Sequence, residues 1–110
     1  MVEASKYLAP WRKAVTLAAA QAIADAGWVS SDSAAQVTVS FYLERPATVK
    51  IANRPSPVKP PDVDKLARGV LDALSDAGVW GDDAQCVKLT VMKCYADARD
   101  PGCVVEVVFL

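Results

Sequence analysis

The sequence contains no histidine and only three cysteines, which narrows the metal chemistry open to the chain. Cys86, Cys94 and Cys103 are odd in number and include no C-x-x-C pair, so neither a disulfide framework nor a zinc ribbon is predicted. Reduced thiols are typical of cytoplasmic proteins, and we expect that location here. Any bound cation is expected to be held by oxygen ligands, which suit magnesium, manganese or calcium better than zinc.

The chain also lacks an excess of charge of either sign and a long apolar run. A net charge of -1 excludes a uniformly basic surface, so contact with nucleic acid must rely on local charge and on metal ions. The apolar residues 15–26 are interrupted by Gln21 and Asp25 and are too short to cross a bilayer, and no signal peptide is recognised ahead of the first predicted helix. With 110 residues, 53% of them hydrophobic, we expect one folded domain, residues 1–110, and no membrane partner.

Hydrophobic periodicity predicts an α+β fold in which two helices pack on one face of a small mixed sheet. The predicted order is a helix at 7–26, a strand at 36–43, a helix from 62 or 64 to 77, and strands at 86–95 and 103–110. We expect the first two strands to pair in parallel across the second helix and the last two to form an antiparallel hairpin. The buried stripe of the first helix is predicted to comprise Leu8, Trp11, Val15, Ala18, Ala22 and Ile23.

The second predicted helix has a pair of carboxylates near each end. Asp62 and Asp64 follow Pro60 and Pro61 at its start, and a GDDAQ turn with Asp82 and Asp83 follows its end. From spacing alone, an aspartate at a helix start is more often a cap than a metal ligand, and a DD pair in a turn is more often a solvated loop. Because about 14 helical residues span roughly 20 Å, the turn can join the first pair only if the chain runs back along the helix; otherwise the cluster is completed at a subunit interface.

A long connection between the first strand and the second helix is rich in proline and basic residues. Residues 46–61 contain five prolines, and loops of that length in small domains are usually functional or mobile. No acidic residue occurs from position 45 to position 61. The basic side chains of this stretch form either a DNA-contacting surface or a solvated loop; they are Arg45, Lys50, Arg54 and Lys59.

The segment from Lys59 to Tyr95 resembles the signature of the RusA-type Holliday junction resolvases, a family of small, often phage-borne endodeoxyribonucleases. That signature reads approximately D-x-D-N-L-x-K, then D-A-L, then an aromatic residue near D-D-x-Q, then a strand. Ten positions fall in this register without an insertion: Asp62, Asp64, Leu66, Asp72, Ala73, Leu74, Trp80, Asp82, Asp83 and Gln85.

The resemblance implies a site and an activity. In the family, both aspartates of the D-x-D and one of the D-D-x-Q hold catalytic magnesium, which implies that Asp62, Asp64 and Asp83 are catalytic metal ligands for Mg²⁺ or Mn²⁺. It also implies a homodimer that resolves four-way DNA junctions by paired phosphodiester hydrolysis in recombination and repair. Lys65 stands where the family usually has Asn, and Arg68 where it usually has a functional Lys. We expect either cation to neutralise charge on the phosphate, Arg68 as a catalytic group and Lys65 as a DNA contact.

The resemblance is incomplete at the N-terminus. The family usually opens with a strand and a basic loop, whereas Met1 stands only a few residues ahead of the first predicted helix. We therefore expect the strand to be missing here, either because the start is truncated or because this member has lost a sheet edge and part of its DNA surface. Two other functions remain open at this point. One is a catalytically silent homodimer that binds DNA junctions, and the other is a small homodimeric interaction domain in which the acidic residues are caps and solubilising charge.

Overall fold

Two helices and three strands make up the computed structural model, which describes the backbone of residues 2–110 and the side chains of residues 12–110. The elements are α1 (Val2–Ala26), β1 (Ala35–Leu43), α2 (Val63–Asp76), a short 3-10 helix (Asp83–Gln85), β2 (Cys86–Tyr95) and β3 (Gly102–Phe109). The predicted α+β class is confirmed. α1 begins at Val2, before the predicted start at Tyr7, so Pro10 lies inside it. The expected burial of Leu8 and Trp11 falls outside the described side chains.

β1 is the central strand of the sheet, whose order is β2-β1-β3. It pairs in parallel with β2, as predicted, and antiparallel with β3. The predicted β2–β3 hairpin is therefore wrong. Tyr95 ends β2 beside Leu43, and Gly102 begins β3 beside Tyr42, so the intervening connection crosses the end of β1. β1 has one largely buried face, and pairing with a strand on each side leaves neither of its backbone edges unpaired.

The core lies between the two helices and one face of the sheet. Val37, Val39 and Phe41 of β1 are almost completely buried, and they alternate with half-buried polar residues at period two. Side chains at helical spacing on α2, including Leu66, Val70 and Leu74, pack against them, and α1 contributes Val15. This packing fixes the helices on one side of the sheet.

The chain turns back along α2 after the helix ends. Gly78 adopts a left-handed conformation with φ of +78°, as its position after the helix predicts. Val79 and Trp80 then enter the core with 3% and 2% exposure, and the indole nitrogen of Trp80 donates to the hydroxyl of Ser75 at 2.7 Å. Burial of these two side chains holds the following GDDAQ turn beside the helix.

The opposite face of the sheet carries apolar side chains that are largely exposed. Ser40 of β1 lies between Met92 of β2 and Val104 of β3, which are 52% and 48% exposed. Val108 is 43% exposed further along β3 on the same face. We call this the open face of the sheet. Among the helices that the structure describes, none has the length and apolar character needed to span a membrane.

Candidate active site

Asp62 and Asp64 occupy the start of α2 with exposed side chains. Asp62 has the extended backbone of an N-cap residue, with φ of −75° and ψ of 143°, but its side chain makes no capping hydrogen bond. Its ionic neighbour is Lys65, whose ammonium nitrogen lies 3.8 Å from a carboxylate oxygen of Asp62. The helix start therefore does not use the Asp62 carboxylate as a cap, which leaves it accessible for another role.

Asp83 reaches the middle of α2. One carboxylate oxygen of Asp83 lies 2.6 Å from a guanidinium nitrogen of Arg68, which is also 3.4 Å from Asp72. Asp64, Arg68 and Asp72 follow one another at four-residue spacing and share one side of the helix. The chain therefore runs back along the helix as far as Arg68, and whether the first carboxylate pair joins Asp83 within one chain or at a subunit interface stays open.

The remaining residues of the D-D-x-Q segment shape the turn. Asp82 accepts a hydrogen bond from the backbone N–H of Ala84, and this bond, together with a hydrogen bond to Asp83, lowers the pKa of Asp82. The side-chain oxygen of Gln85 accepts from the N–H groups of Gly81 and Asp82, and its amide nitrogen donates to the carbonyls of Ser31 and Ser33. Asp82 therefore has a structural role within the turn. Asp83, in contrast, extends from the turn toward α2.

Arg68 is the positive centre of this acidic group. Its hydrogen bond to Asp83 raises the pKa of the guanidinium, which ordinarily lies far above neutral pH. Arg68 therefore stays charged and cannot exchange protons with a substrate at physiological pH. It can only offer a fixed positive charge and hydrogen-bond donors to an oxygen anion.

The donor chemistry of the site fits a hard divalent cation, although the three predicted ligands are not gathered around one point. Within the described part of the chain, no three acidic or cysteine side chains lie close enough together to hold a metal ion. Asp83 is paired with Arg68, and Asp62 lies near Lys65. A cation that binds here has to compete with these two side chains for exposed carboxylates. The site formed by Asp62, Asp64 and Asp83 stays a prediction.

Arg45, expected at the DNA surface, is instead enclosed by the basic connection. Its guanidinium donates to both carboxylate oxygens of Asp97, at 2.7 and 2.9 Å, and to the carbonyl of Arg54 at 2.5 Å. It also lies 4.0 Å from the centre of the Tyr95 ring, and its side chain is only 12% exposed. The hydrogen bond from Arg45 lowers the pKa of Asp97. The donors of Arg45 thus bind groups of the protein itself, Asp97 and the Arg54 carbonyl. Of the other three basic residues of this stretch, Lys50 and Lys59 are exposed and Arg54 is half-buried.

Sequence reasoning missed Lys93 of β2, which contacts the segment that leads into Asp62. The ammonium nitrogen of Lys93 donates to the carbonyl oxygens of Lys59 and Pro61, each at 2.9 Å. A signal was present, because Leu89, Val91 and Lys93 alternate along one side of the strand and a lysine there interrupts an apolar series. Gln85 was recognised as a signature position, but its structural role was not predicted.

The family model described as endodeoxyribonuclease RusA matches residues 1–108. That match includes α1, the basic connection, the D-x-D at the start of α2 and the D-D-x-Q turn. No curated protein matches the sequence significantly.

Proposed function

Because the chain belongs to the RusA family of endodeoxyribonucleases, we propose that it resolves four-way DNA junctions by magnesium-dependent phosphodiester hydrolysis. The observation that carries the proposal is the contact between Arg68 and Asp83. It brings the D-D-x-Q turn to the side of α2 that also carries Asp64. Two acidic segments that are separated in sequence therefore lie on one surface, as a shared active site requires.

In the proposed site, Asp62, Asp64 and Asp83 hold the cation, which is Mg²⁺ with Mn²⁺ as a substitute. When bound, such a cation polarises a phosphate oxygen and lowers the pKa of a water molecule. Water then adds to phosphorus and the bond to the 3′ oxygen breaks, which leaves a 5′-phosphate and a 3′-hydroxyl. Arg68 stabilises the negative charge that builds up on the phosphate oxygens, since it is charged and positioned before the reaction begins.

Contacts to the DNA backbone are proposed for four basic residues around the start of α2. Phosphate contacts orient a duplex without reading its sequence, which suits an enzyme that selects a branched structure. Arg45 is proposed to hold the basic connection in place and not to contact DNA, because its donors bind Asp97 and the carbonyl of Arg54. The four proposed phosphate contacts are Lys50, Arg54, Lys59 and Lys65.

A homodimer is proposed because two cuts at a four-way junction need two sites. The open face of the sheet carries three exposed apolar side chains, Met92, Val104 and Val108, beside a polar row of Thr90, Thr38 and Glu106. Exposed apolar patches of this kind commonly mark protein interfaces. A two-fold axis through this face would apply the same surface of each copy to the other.

One observation also favours a second candidate, the catalytically silent junction binder. Arg68 already neutralises Asp83 and lies near Asp72, so the acidic side chains are partly satisfied without a metal ion. A protein of this kind binds junctions in a salt-sensitive way but does not cut them with any divalent cation.

The test is cleavage of a labelled synthetic four-way junction and a matched linear duplex, with and without magnesium. We compare the unaltered chain with Asp83→Asn and with Asp100→Asn, an exposed aspartate outside the site. The proposal expects symmetric nicks in the junction alone, which need magnesium, persist in Asp100→Asn and fall at least a hundredfold in Asp83→Asn. Tight binding without nicks supports the silent binder, and neither binding nor cleavage supports an interaction domain.

A further inference from the structure

Lys93 is a half-buried cation placed where the sheet otherwise presents apolar side chains to the helices. In the β1–β2 register, Leu89 lies beside Val37, Val91 beside Val39 and Lys93 beside Phe41. The three β1 residues are almost completely buried, so Lys93 continues the inward side of β2. Lysine is rarely placed at such a position unless its ammonium group has defined partners.

The partners of Lys93 belong to the short segment that precedes α2. Pro60 and Pro61 have no N–H group, so this segment can offer mainly carbonyl oxygens to its surroundings. One ammonium group binds two of them, the carbonyls of Lys59 and Pro61, each at 2.9 Å. The Pro61 carbonyl belongs to the peptide that joins Pro61 to Asp62. Because the Asp62 side chain makes no capping bond of its own, this attachment fixes the backbone at the helix start.

β2 therefore holds α2 at two separate places. The turn leading into β2 contacts the middle of the helix through Asp83 and Arg68, and Lys93 near the other end of β2 holds the segment before Asp62. Together these contacts set where Asp62 lies relative to Asp83. Neither contact uses the carboxylate of Asp62 or Asp64.

We propose that Lys93 is a positioning residue of the active site: by binding the carbonyls of Lys59 and Pro61, it places Asp62 and Asp64 for a shared cation with Asp83. This role rests on the proposed nuclease function, although the placement itself is a property of the protein without DNA. Residues that orient metal ligands from outside the coordination sphere commonly change metal affinity about 10- to 100-fold when they are removed.

The first experiment measures placement and metal affinity in the absence of DNA. Lys93→Met keeps the length and apolar character of the side chain and removes its donors, while Lys93→Arg keeps donors and charge. Lys13→Met, an exposed lysine on α1, is the matched control. Backbone amide chemical shifts at positions 62–64 and Mn²⁺ titration by calorimetry are recorded for each variant. We expect shifted amides and about 10- to 100-fold weaker Mn²⁺ binding in Lys93→Met, and substantial recovery in Lys93→Arg.

The second experiment measures junction cleavage against magnesium concentration. We expect Lys93→Met to need correspondingly more magnesium and to bind the junction with unchanged affinity when no divalent cation is present. Unchanged amide shifts and unchanged Mn²⁺ affinity in Lys93→Met would overturn the positioning role. Should Lys93→Met not fold, Lys93→Leu, which likewise has no donor, replaces it under the same criteria. Failure of the unaltered chain to cut junctions while the Mn²⁺ and amide effects persist would overturn the nuclease proposal alone.

Discussion

Arg68 pairs with a carboxylate that the proposed site assigns to a metal ion. Its guanidinium is 2.6 Å from Asp83 and 3.4 Å from Asp72, and it extends from the same side of α2 as Asp64. A compact ammonium would offer a point charge there, whereas the planar guanidinium can bind two oxygen anions at once. In the proposed site, Arg68 would therefore compete with a cation for Asp83 and would also supply charge to a phosphate.

These two roles predict opposite effects of Arg68→Gln on binding and on cleavage. Without the guanidinium, the carboxylates face no competing charge, so Mn²⁺ affinity is expected to rise roughly tenfold. Cleavage at saturating magnesium is expected to fall, because charge on the phosphate is no longer neutralised. Calorimetry and junction cleavage measure the two effects, and Arg99→Gln is the control. An unchanged Mn²⁺ affinity would show that Arg68 does not compete for Asp83.

Local sequence signals predicted some residues of the site and missed others. Asp62 and Asp64 stood out because they follow a proline pair, and Asp83 because it follows a glycine in a turn. Gly78 was predicted separately, because an amphipathic helix commonly ends at a glycine in the left-handed conformation. The roles of Arg45 and Lys93 could not be read from the sequence, since their partners lie far away along the chain. The composition of the connection did not indicate that Arg45 pairs with Asp97.

At the level of elements, the D-D-x-Q turn is held mainly by Gln85. Its side chain joins the turn at Gly81 and Asp82 to the segment at Ser31 and Ser33 through four hydrogen bonds. We expect Gln85→Ala to lower the free energy of unfolding by about 1–2 kcal/mol, because several backbone groups lose their partners. Urea unfolding measures this change.

The control for Gln85→Ala is Gln21→Ala on an exposed part of α1, where the change is expected to stay within about 0.5 kcal/mol. Cleavage by Gln85→Ala should fall as well, since Asp83 is carried by the same turn. Equal stabilities of the two glutamine variants would contradict the role of Gln85 in holding the D-D-x-Q turn.

The basic connection is fastened by the pair of Arg45 and Asp97, and this pair predicts a dependence on pH. The pKa of Asp97 is lowered in the folded protein, so its stabilising contribution is complete above the ordinary aspartate range and is lost as pH falls through the lowered value. Asp97→Asn is therefore expected to be less stable than the unaltered chain at neutral pH. The difference should shrink toward zero as pH falls below the lowered pKa of Asp97.

Urea unfolding at a series of pH values tests the role of Asp97. Asp100→Asn, in the same connection between β2 and β3, is the control and is expected to follow the unaltered chain throughout. A stability difference for Asp97→Asn that stays constant from neutral to acidic pH would argue against the ion pair.

The positions of helices and strands along the chain were easier to predict than the pairing of the strands. The bounds of α2 and of β2 follow from helical and alternating periodicity within each segment, and the structure confirms both. The place of β3 depends on which edge of β1 is open, which no local pattern reports. The long turn directly after β2 was interpreted as the turn of a hairpin, whereas in the structure β3 pairs with the other edge of β1.

At the level of the whole molecule, the helices cover one side of the sheet and the open face remains exposed. If the open face joins two copies, a charge placed in the row of Met92, Ser40 and Val104 should separate them. We expect the unaltered chain to sediment as a dimer at micromolar concentration and Met92→Glu to sediment as a monomer. Leu17→Glu, at an exposed apolar residue of α1, should remain dimeric.

Sedimentation velocity distinguishes these states, and circular dichroism checks that the variants are folded. A dimer that survives both Met92→Glu and Val104→Glu would place the interface elsewhere. A monomeric Met92→Glu that still nicks both strands of a junction with equal efficiency would argue against the need for paired sites.

The central position of β1 has a consequence for synthesis of the chain on the ribosome. β1 ends at Leu43, but its first partner strand begins at Cys86 and its second at Gly102. Until those later segments emerge, β1 has exposed edges and an apolar face with no sheet to join. The nascent chain can form its helices early, but its sheet can be completed only after both later strands have left the ribosome.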